Sequence, residues 1–312
     1  MRTVITGALG HIGSQVIRDW PDAFPGGEII LLDNLATQRY ASLFNLPEKG
    51  HYKFIQADIL TYDLGSLLQA GDVVVHLAAI TDAAKSFDNP EKVERVNFQG
   101  TERLALACAK AGSALIFPST TSVYGSQAEL VDETCAILKP QSPYAESKLK
   151  AERLLHELGK DQNLRFTICR LGTICGVSIG MRFHTAINKF CWQAVMGEAL
   201  TIWSTALNQK RPYLSLSDAV SALEYIVKED LFNNLVYNIV TENLTPQDIL
   251  STIQHHIPDT KVQFTDSPIM NLLSYEVSRS LFEKRGFIFS GSVEKDIHET
   301  ISWLNAAGRN NH

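Results

Sequence analysis

The opening segment RTVITGALGHIG constrains the fold more than any other stretch of this 312-residue chain. Thr3 to Thr6 is β-branched throughout, Gly7, Gly10 and Gly13 follow, and Ile12 to Trp20 then carries apolar residues at helical spacing. That order predicts strand, tight turn and helix. Gly7 can take the turn, Gly10 lets backbone come up against a pyrophosphate, and Gly13 lets the helix sit close on the strand. The helix N-terminus then offers free N–H groups and the positive end of its dipole to phosphates. A second run, Glu28 to Leu32, ends in Asp33, twenty residues beyond Gly13, where a ribose-binding acid belongs. Three glycines at this spacing also occur in ordinary turns. Flanked by strand, helix and acid, they read as a dinucleotide site. Asp33 could accept hydrogen bonds from both ribose hydroxyls, whereas a 2′-phosphate would meet its charge, and Asn34, Leu35 and Ala36 supply no arginine. NAD is therefore expected rather than NADP, with Arg39 the nearest cation, six residues on.

A second constellation lies in SPYAESK, where Tyr144 and Lys148 stand four residues apart on one face of a predicted helix. A phenol titrates near pH ~10, and an ammonium one turn away would favour the phenolate. Such a pair is also a common exposed feature of helices, so its meaning depends on the rest of the chain.

Four segments together carry a resemblance: G-x-x-G-x-x-G at Gly7 to Gly13, HLAA at His76 to Ala79, STTSVYG at Ser119 to Gly125, and YAESK at Tyr144 to Lys148. They resemble the extended short-chain dehydrogenase/reductase family, in its NAD-dependent sugar epimerase/dehydratase branch. The likeness runs through the predicted sixth strand and more loosely to Asp218. DNLAT at Asp33 to Thr37 resembles the cofactor turn of sugar-nucleotide 4-epimerases, and ADI at Ala57 to Ile59 the turn whose Asp reads the adenine amino group. The resemblance implies NAD held by Gly7, Gly10, His11, Ile12, Gly13, Asp33, Asn34, Thr37, Asp58, Ile59, Leu77, Ala78, Ala79 and Asn97, together with Tyr144 and Lys148. It implies Thr120, Tyr144 and Lys148 as the catalytic set, with Ser119 and Ser122 as lesser candidates for the hydroxyl. Tyr144 would move the proton of a substrate hydroxyl while the carbon beneath gives hydride to the nicotinamide.

Departures from the family pattern narrow the reaction. Relatives that eliminate water carry an acidic pair directly after the catalytic Thr; here Thr121 and Ser122 stand there. Oxidation to a ketone followed by reduction on the other face, or by release, remains. In KRPYLSLSDA, Arg211 matches an arginine that binds a sugar nucleotide's diphosphate, and a guanidinium suits that task by its bidentate geometry. Pro212, Ser215 and Leu216 depart from the pattern, and FTDSPIMNLL offers no second arginine. Thr173 replaces the usual Asn after strand six. The polar stretch that follows makes Arg182, His184 and Asn188 candidate substrate contacts beside Thr121, Ser122 and Thr173.

Hydrophobic residues make up 45% of the chain, enough to bury a full core. Strands at Tyr52–Ile55, Val73–Leu77, Leu115–Phe117, Phe166–Leu171 and Leu235–Val240 alternate with helices, long ones at Pro90–Ala111 and Pro143–Leu158. The expected fold is α/β, a doubly wound parallel Rossmann sheet of about seven strands with a smaller discontinuous C-terminal lobe. The NAD-binding domain is expected at 1–171 plus about 212–242, and an irregular substrate lobe at about 172–211 plus 243–312, with Asn310 to His312 fraying. A net charge of -6 with no basic element argues against a nucleic-acid surface. No apolar run reaches a membrane span, no signal peptide is expected ahead of the first strand, and the five scattered cysteines suit a reducing cytoplasm. Cys108, Cys169 and Cys191 read as core thiols, and no metal site is expected. The family's helix pairing implies a homodimer. An epimerase of nucleotide-activated sugars, a net dehydrogenase or ketoreductase on a sugar or other small hydroxy compound, and a dinucleotide-sensing protein all stay open.

Overall fold

Val73–His76, a four-residue run with every side chain buried, can only be an interior strand of a sheet covered on both faces. The computed structural model, which describes residues 1–127, 130–265 and 275–306, places it there. The first half of the chain runs β1 (Arg2–Thr6), α1 (His11–Ala23), β2 (Glu28–Asp33), β3 (His51–Gln56), α2 (Leu64–Leu67), β4 (Val73–His76), α3 (Pro90–Glu94), α4 (Gly100–Ala111) and β5 (Ala114–Thr120). Then come β6 (Leu130–Val131), α5 (Pro143–Asp161), β7 (Arg165–Leu171), β8 (Thr173–Cys175), α6 (Ala186–Met196), β9 (Leu200–Trp203), β10 (Arg211–Ser215) and α7 (Leu216–Lys228). The rest comprises β11 (Val236–Ile239), β12 (Glu242–Leu244), α8 (Pro246–His256), β13 (Val262–Thr265), β14 (Glu276–Val277), α9 (Ser280–Glu283) and α10 (Val293–Ala306).

Seven strands form one parallel sheet in the order β11-β7-β5-β4-β1-β2-β3. Because successive side chains in a strand point to opposite faces, the pairs Val4/Ile5 and Ile30/Leu31 divide between two cores. Ile5 and Leu31 join Val16, Ile17 and Trp20 of α1 with Val220 and Leu223 of α7, while Val4 and Ile30 join Leu104 of α4 and Leu155 of α5. The strand order reverses between β1 and β4, which opens a crevice at the carboxyl ends of the strands. The doubly wound parallel Rossmann sheet expected from the sequence is the observed fold.

Two parts of the sequence reading change. The helix expected without interruption from Pro90 to Ala111 contains a π turn at Arg95–Gln99, where the Asn97 side chain is spent on neighbouring segments, as described below. The two regions read as irregular are built of regular elements. β8, β10 and β12 make a three-stranded sheet, β9 pairs with β13, and α6, α8 and α10 close a third core around Phe190, Ile249 and Ile297. Strands of three or four residues are too short for their period to be read. Of FTDSPIMNLL, only Phe264 and Thr265 are among the described residues, and Asn310 to His312 lie outside them. Cys108, Cys169 and Cys191 are buried thiols, as is Cys175. Among the described residues no helix is long and apolar enough to cross a membrane.

Candidate active site

The turn between β1 and α1 is built so that only glycine fits two of its three glycine positions. Gly7 has φ +65°, and a Cβ there would stand 2.5 Å from Ala78 N, because the turn crosses directly over the end of β4. At Gly13 a Cβ would stand 2.6 Å from Ala8 O. Gly10 differs: a Cβ there would meet only Gly7 O, at 3.3 Å, with open space beyond. Gly10 is also the N-cap of α1 and gives it no side-chain cap, so the amides of the first turn face that space unsatisfied. Packing therefore does not require glycine at position 10, whereas a phosphate approaching the helix end would. Ile12 packs against the core, and the His11 side chain points away from the cradle, its Nε2–H donating to Gly176 O at 2.8 Å. Burial, then the charges of Arg182 and Arg39, push His11 down to about 4, so the ring is neutral.

Asp33 closes the cradle, its carboxylate accepting from Leu9 N at 3.1 Å and Leu35 N at 2.9 Å. Asn34 Nδ2 donates to Asp58 Oδ2 at 3.1 Å, tying the second-strand loop to the third. Asp58, Leu60, Thr61, Arg95, Gln99 and Arg103 line a cavity of about 480 Å³ beside buried Ile59, a volume that admits a purine ring. Thr37 is exposed beside Asn34. The floor is fixed by proton counting. Thr101 spends its hydroxyl proton on Asn97 O at 2.6 Å, so His76 Nε2 must be the N–H that donates to Thr101 Oγ1 at 3.0 Å. His76 Nδ1 then accepts from Thr6, whose oxygen takes the Ala78 amide at 3.3 Å. His76 is neutral, pushed down to about 3 by burial and by the charge of Lys148. Leu77 N bonds Thr6 O at 2.9 Å, and Asn97 grips both the N–H and the C=O of Ile80, at 2.8 and 2.9 Å, just past Ala79.

Thr120, Tyr144 and Lys148 converge at the mouth of this cradle. Thr120 accepts from Ser122 N at 3.1 Å, so its own proton is not spent there, and the hydroxyl lies close enough to the Tyr144 phenol to favour its ionised form. Lys148 is buried and donates to Pro118 O at 2.8 Å. Here the structure corrects the simplest reading of the pair. Burial raises the Tyr144 phenol, and what opposes it is Arg182 first and Thr120 second, because the lysine ammonium is turned toward Pro118. The lysine itself falls to about 7 through burial, against the pull of Glu152.

On the substrate side, Arg182 bonds Thr81 while its buried Nε has no partner. Asn188 is fully buried; its Nδ2 donates to Arg182 O at 2.9 Å and so braces that loop, while its Oδ1 has no partner. His184 stands exposed near Arg182, and Thr173 opens β8 beside Tyr213. Arg211 on β10 has buried Nε and Nη2 atoms without partners, an unspent guanidinium fork. Thr121 is buried and donates its proton to Leu171 O at 3.3 Å, Tyr275 is buried close to Thr121 and Ser122, and Ser119 is spent on Glu152; Thr121 and Ser119 are thereby removed as donors to a substrate. Tyr275 and Thr81 were not singled out from sequence for this site, and Arg39 was noted only as the nearest cation after Asp33. Thr81 and Tyr275 lie in loops without periodicity.

A family model described as the NAD dependent epimerase/dehydratase family matches residues 3–239. YtcB of Bacillus subtilis strain 168, an uncharacterized UDP-glucose epimerase, is 30% identical over 233 residues, covering 73% of this chain and 72% of its own. A trifunctional UDP-glucose 4,6-dehydratase/UDP-4-keto-6-deoxy-D-glucose 3,5-epimerase/UDP-4-keto-L-rhamnose-reductase of Arabidopsis thaliana is 29% identical over 96% of this chain, which spans only 46% of that relative. The solved structure of the UDP-glucuronic acid 4-epimerase from Bacillus cereus, in complex with UDP-glucuronic acid and NAD, is similar with a TM-score of 0.88 at 25% identity. That similarity covers 98% of this chain and all of the other. With the model matching most of its length and YtcB matching across nearly three quarters of it, the chain belongs to the NAD dependent epimerase/dehydratase family.

Proposed function

We propose that this protein is an NAD-dependent epimerase of a nucleotide-activated sugar, working through a transient ketone. The observation that carries the reading is the convergence of Thr120, Tyr144 and Lys148 on the mouth of a cradle whose Gly10 leaves room for a diphosphate. Bound NAD would supply a hydride acceptor, later a hydride donor, and positive charge that favours the Tyr144 phenolate. Within the chain, the Thr120 hydroxyl turns its one proton to the reacting sugar oxygen when substrate enters, and Tyr144, as phenolate, takes the proton of that hydroxyl and returns it. Lys148 holds the nicotinamide ribose. Gly7, Gly10, Gly13 and the amides of His11, Ile12 and Gly13 cradle the cofactor diphosphate, Asp33, Asn34 and Thr37 the adenosine ribose, and Asp58 with Ile59 the adenine. Leu77, Ala78, Ala79 and Asn97 form the floor under the nicotinamide half.

Arg211 takes the substrate diphosphate, with its two open nitrogens as the fork. Ser122, Thr173, Arg182 and His184 face the sugar, with Thr121 behind them holding Leu171 O. With hydroxyls at 121 and 122 in place of an acidic pair, no acid follows Thr120 to eliminate water. The Rossmann part, 1–171 with about 212–242, holds the cofactor, and the remainder closes over the sugar. We place the protein in the cytoplasm as a homodimer through its long helices. The test is a panel of sugar nucleotides assayed for epimer formation by wild type and Tyr144→Phe. Epimer formation that Tyr144→Phe abolishes while NAD still binds supports the reading. Unchanged turnover in Tyr144→Phe rejects the mechanism, and free NADH accumulating with wild type points to a net dehydrogenase instead.

A further inference from the structure

Strand β5 ends in Pro118, Ser119 and Thr120, and each of these consecutive residues engages one of three side chains stacked along α5. Thr120 lies beside the Tyr144 phenol, Pro118 O accepts from Lys148, and Ser119 Oγ donates to Glu152. Tyr144, Lys148 and Glu152 lie at successive four-residue steps, on one face of the helix. The first two serve the proposed reaction; Glu152 touches nothing in the cleft. It is nonetheless 2% exposed, and Arg170 of β7, 4% exposed, donates to it from Nε at 3.1 Å and Nη2 at 2.7 Å. Buried ion pairs of this kind are often replaceable by apolar residues with no loss of stability. Stability alone therefore does not explain an acid at this position.

Lys148 supplies a reason. It is 3% exposed, bonded to a neutral carbonyl and lying over the Phe117 ring at 4.6 Å from the centroid. The titratable and charged groups packed around it are His76 from β4, which is neutral, Arg170 from β7, and Tyr144 and Glu152 from its own helix. Glu152 is the one anion in that set. Burial drives the lysine toward its neutral form, and Glu152 is the charge that works against burial.

We propose that Glu152, locked by Arg170 and Ser119, is a positioning residue that keeps Lys148 in its ammonium form beneath Tyr144. The function assigned to that ammonium rests on the epimerase reading above. Glu152→Gln preserves shape and can still accept from Ser119, but it removes the charge. Arg170 would then be unpaired, so the double variant Glu152→Gln/Arg170→Gln, which leaves no buried charge, is measured beside it. In full-length protein labelled with 13C at lysine Cε, the Lys148 resonance is assigned by its loss in Lys148→Met and followed against pH. Both Glu152 variants should titrate Lys148 about one pH unit or more below wild type. The alkaline limb of kcat should move down with it. A merely structural role would leave the midpoint in place, or restore it in the double variant; either result overturns the proposal. A wild type that turns over no sugar nucleotide would reject the functional reading, while the titration midpoints would still decide this one.

Discussion

Alanine at Gly10 and alanine at Gly13, three residues apart in one turn, should fail in opposite ways. At Gly13 the added methyl has nowhere to go. It would stand 2.6 Å from Ala8 O, 2.7 Å from Gly7 O and 2.8 Å from Ala8 C, all backbone atoms that can yield only if α1 lifts from β1. Overpacking of this sort costs about 1–3 kcal/mol or somewhat more. Because all three close atoms are backbone, the upper end of that range applies; the better helix propensity of alanine returns roughly 1 kcal/mol, which leaves a net loss of about 2 kcal/mol. At Gly10 the backbone is extended, with φ -70° and ψ -178°, a conformation open to any residue, and the methyl meets one atom at 3.3 Å. Its stability should stay within about 1 kcal/mol of wild type, the usual scale of an N-cap change. The methyl would, however, occupy the approach to the free amides of α1. A diphosphate displaced from two charge-assisted bonds loses roughly 3 kcal/mol, or about a hundredfold in affinity. The assay is urea denaturation without cofactor beside calorimetric titration with NAD. Wild-type NAD affinity in Gly10→Ala would refute the cradle, and wild-type stability in Gly13→Ala would refute the packing argument.

Arg211→Ala should weaken nucleotide-sugar binding by roughly 10- to 100-fold while leaving NAD affinity unchanged, since charge-assisted bonds are worth roughly 1.5–3 kcal/mol; comparing the two titrations checks this. Asp296, held up at about 6 by burial despite accepting from Cys175 Sγ at 3.2 Å, should make stability pH-dependent. A raised carboxyl favours the folded state while it stays protonated. Its contribution is full below the unfolded value near pH ~4 and lost as pH rises through about 6, by at most about 3 kcal/mol. Asp296→Asn should remove that slope, read as the difference between the two proteins' denaturation midpoints from pH 4 to 7. Arg170→Met, which strands the Glu152 charge in the interior, should cost about 3–5 kcal/mol in the same denaturation assay.

How much of this could be read from the chain depended on whether a local pattern carried the information. The β1 turn, Asp33 and the alternation that builds the seven-stranded sheet are local and periodic, and they were legible. So was the convergence of Thr120, Tyr144 and Lys148, through the motifs around them. The π turn at Arg95–Gln99 was not, because it depends on Asn97 reaching Ile80 and Ser147 in other segments. The same holds for Lys148. Sequence spacing placed its ammonium beside the phenol, but the rotamer that sends it to Pro118 is decided by β5, thirty residues away. Asn188 looked like a polar contact and is a buried brace, since helix faces with mixed residues do not declare which side packs inward. Tyr275 enters from the loop just before β14, with no pattern to announce it.

The central claim is that hydride leaves the sugar and returns to the same carbon through one bound cofactor. A nucleotide sugar carrying deuterium at the reacting carbon tests it directly, by mass spectrometry of the product and absorbance at the NADH band during turnover. We expect the epimer to keep its deuterium with no NADH released into solution. A product that has lost the label, formed together with free deuterated NADH, would contradict it.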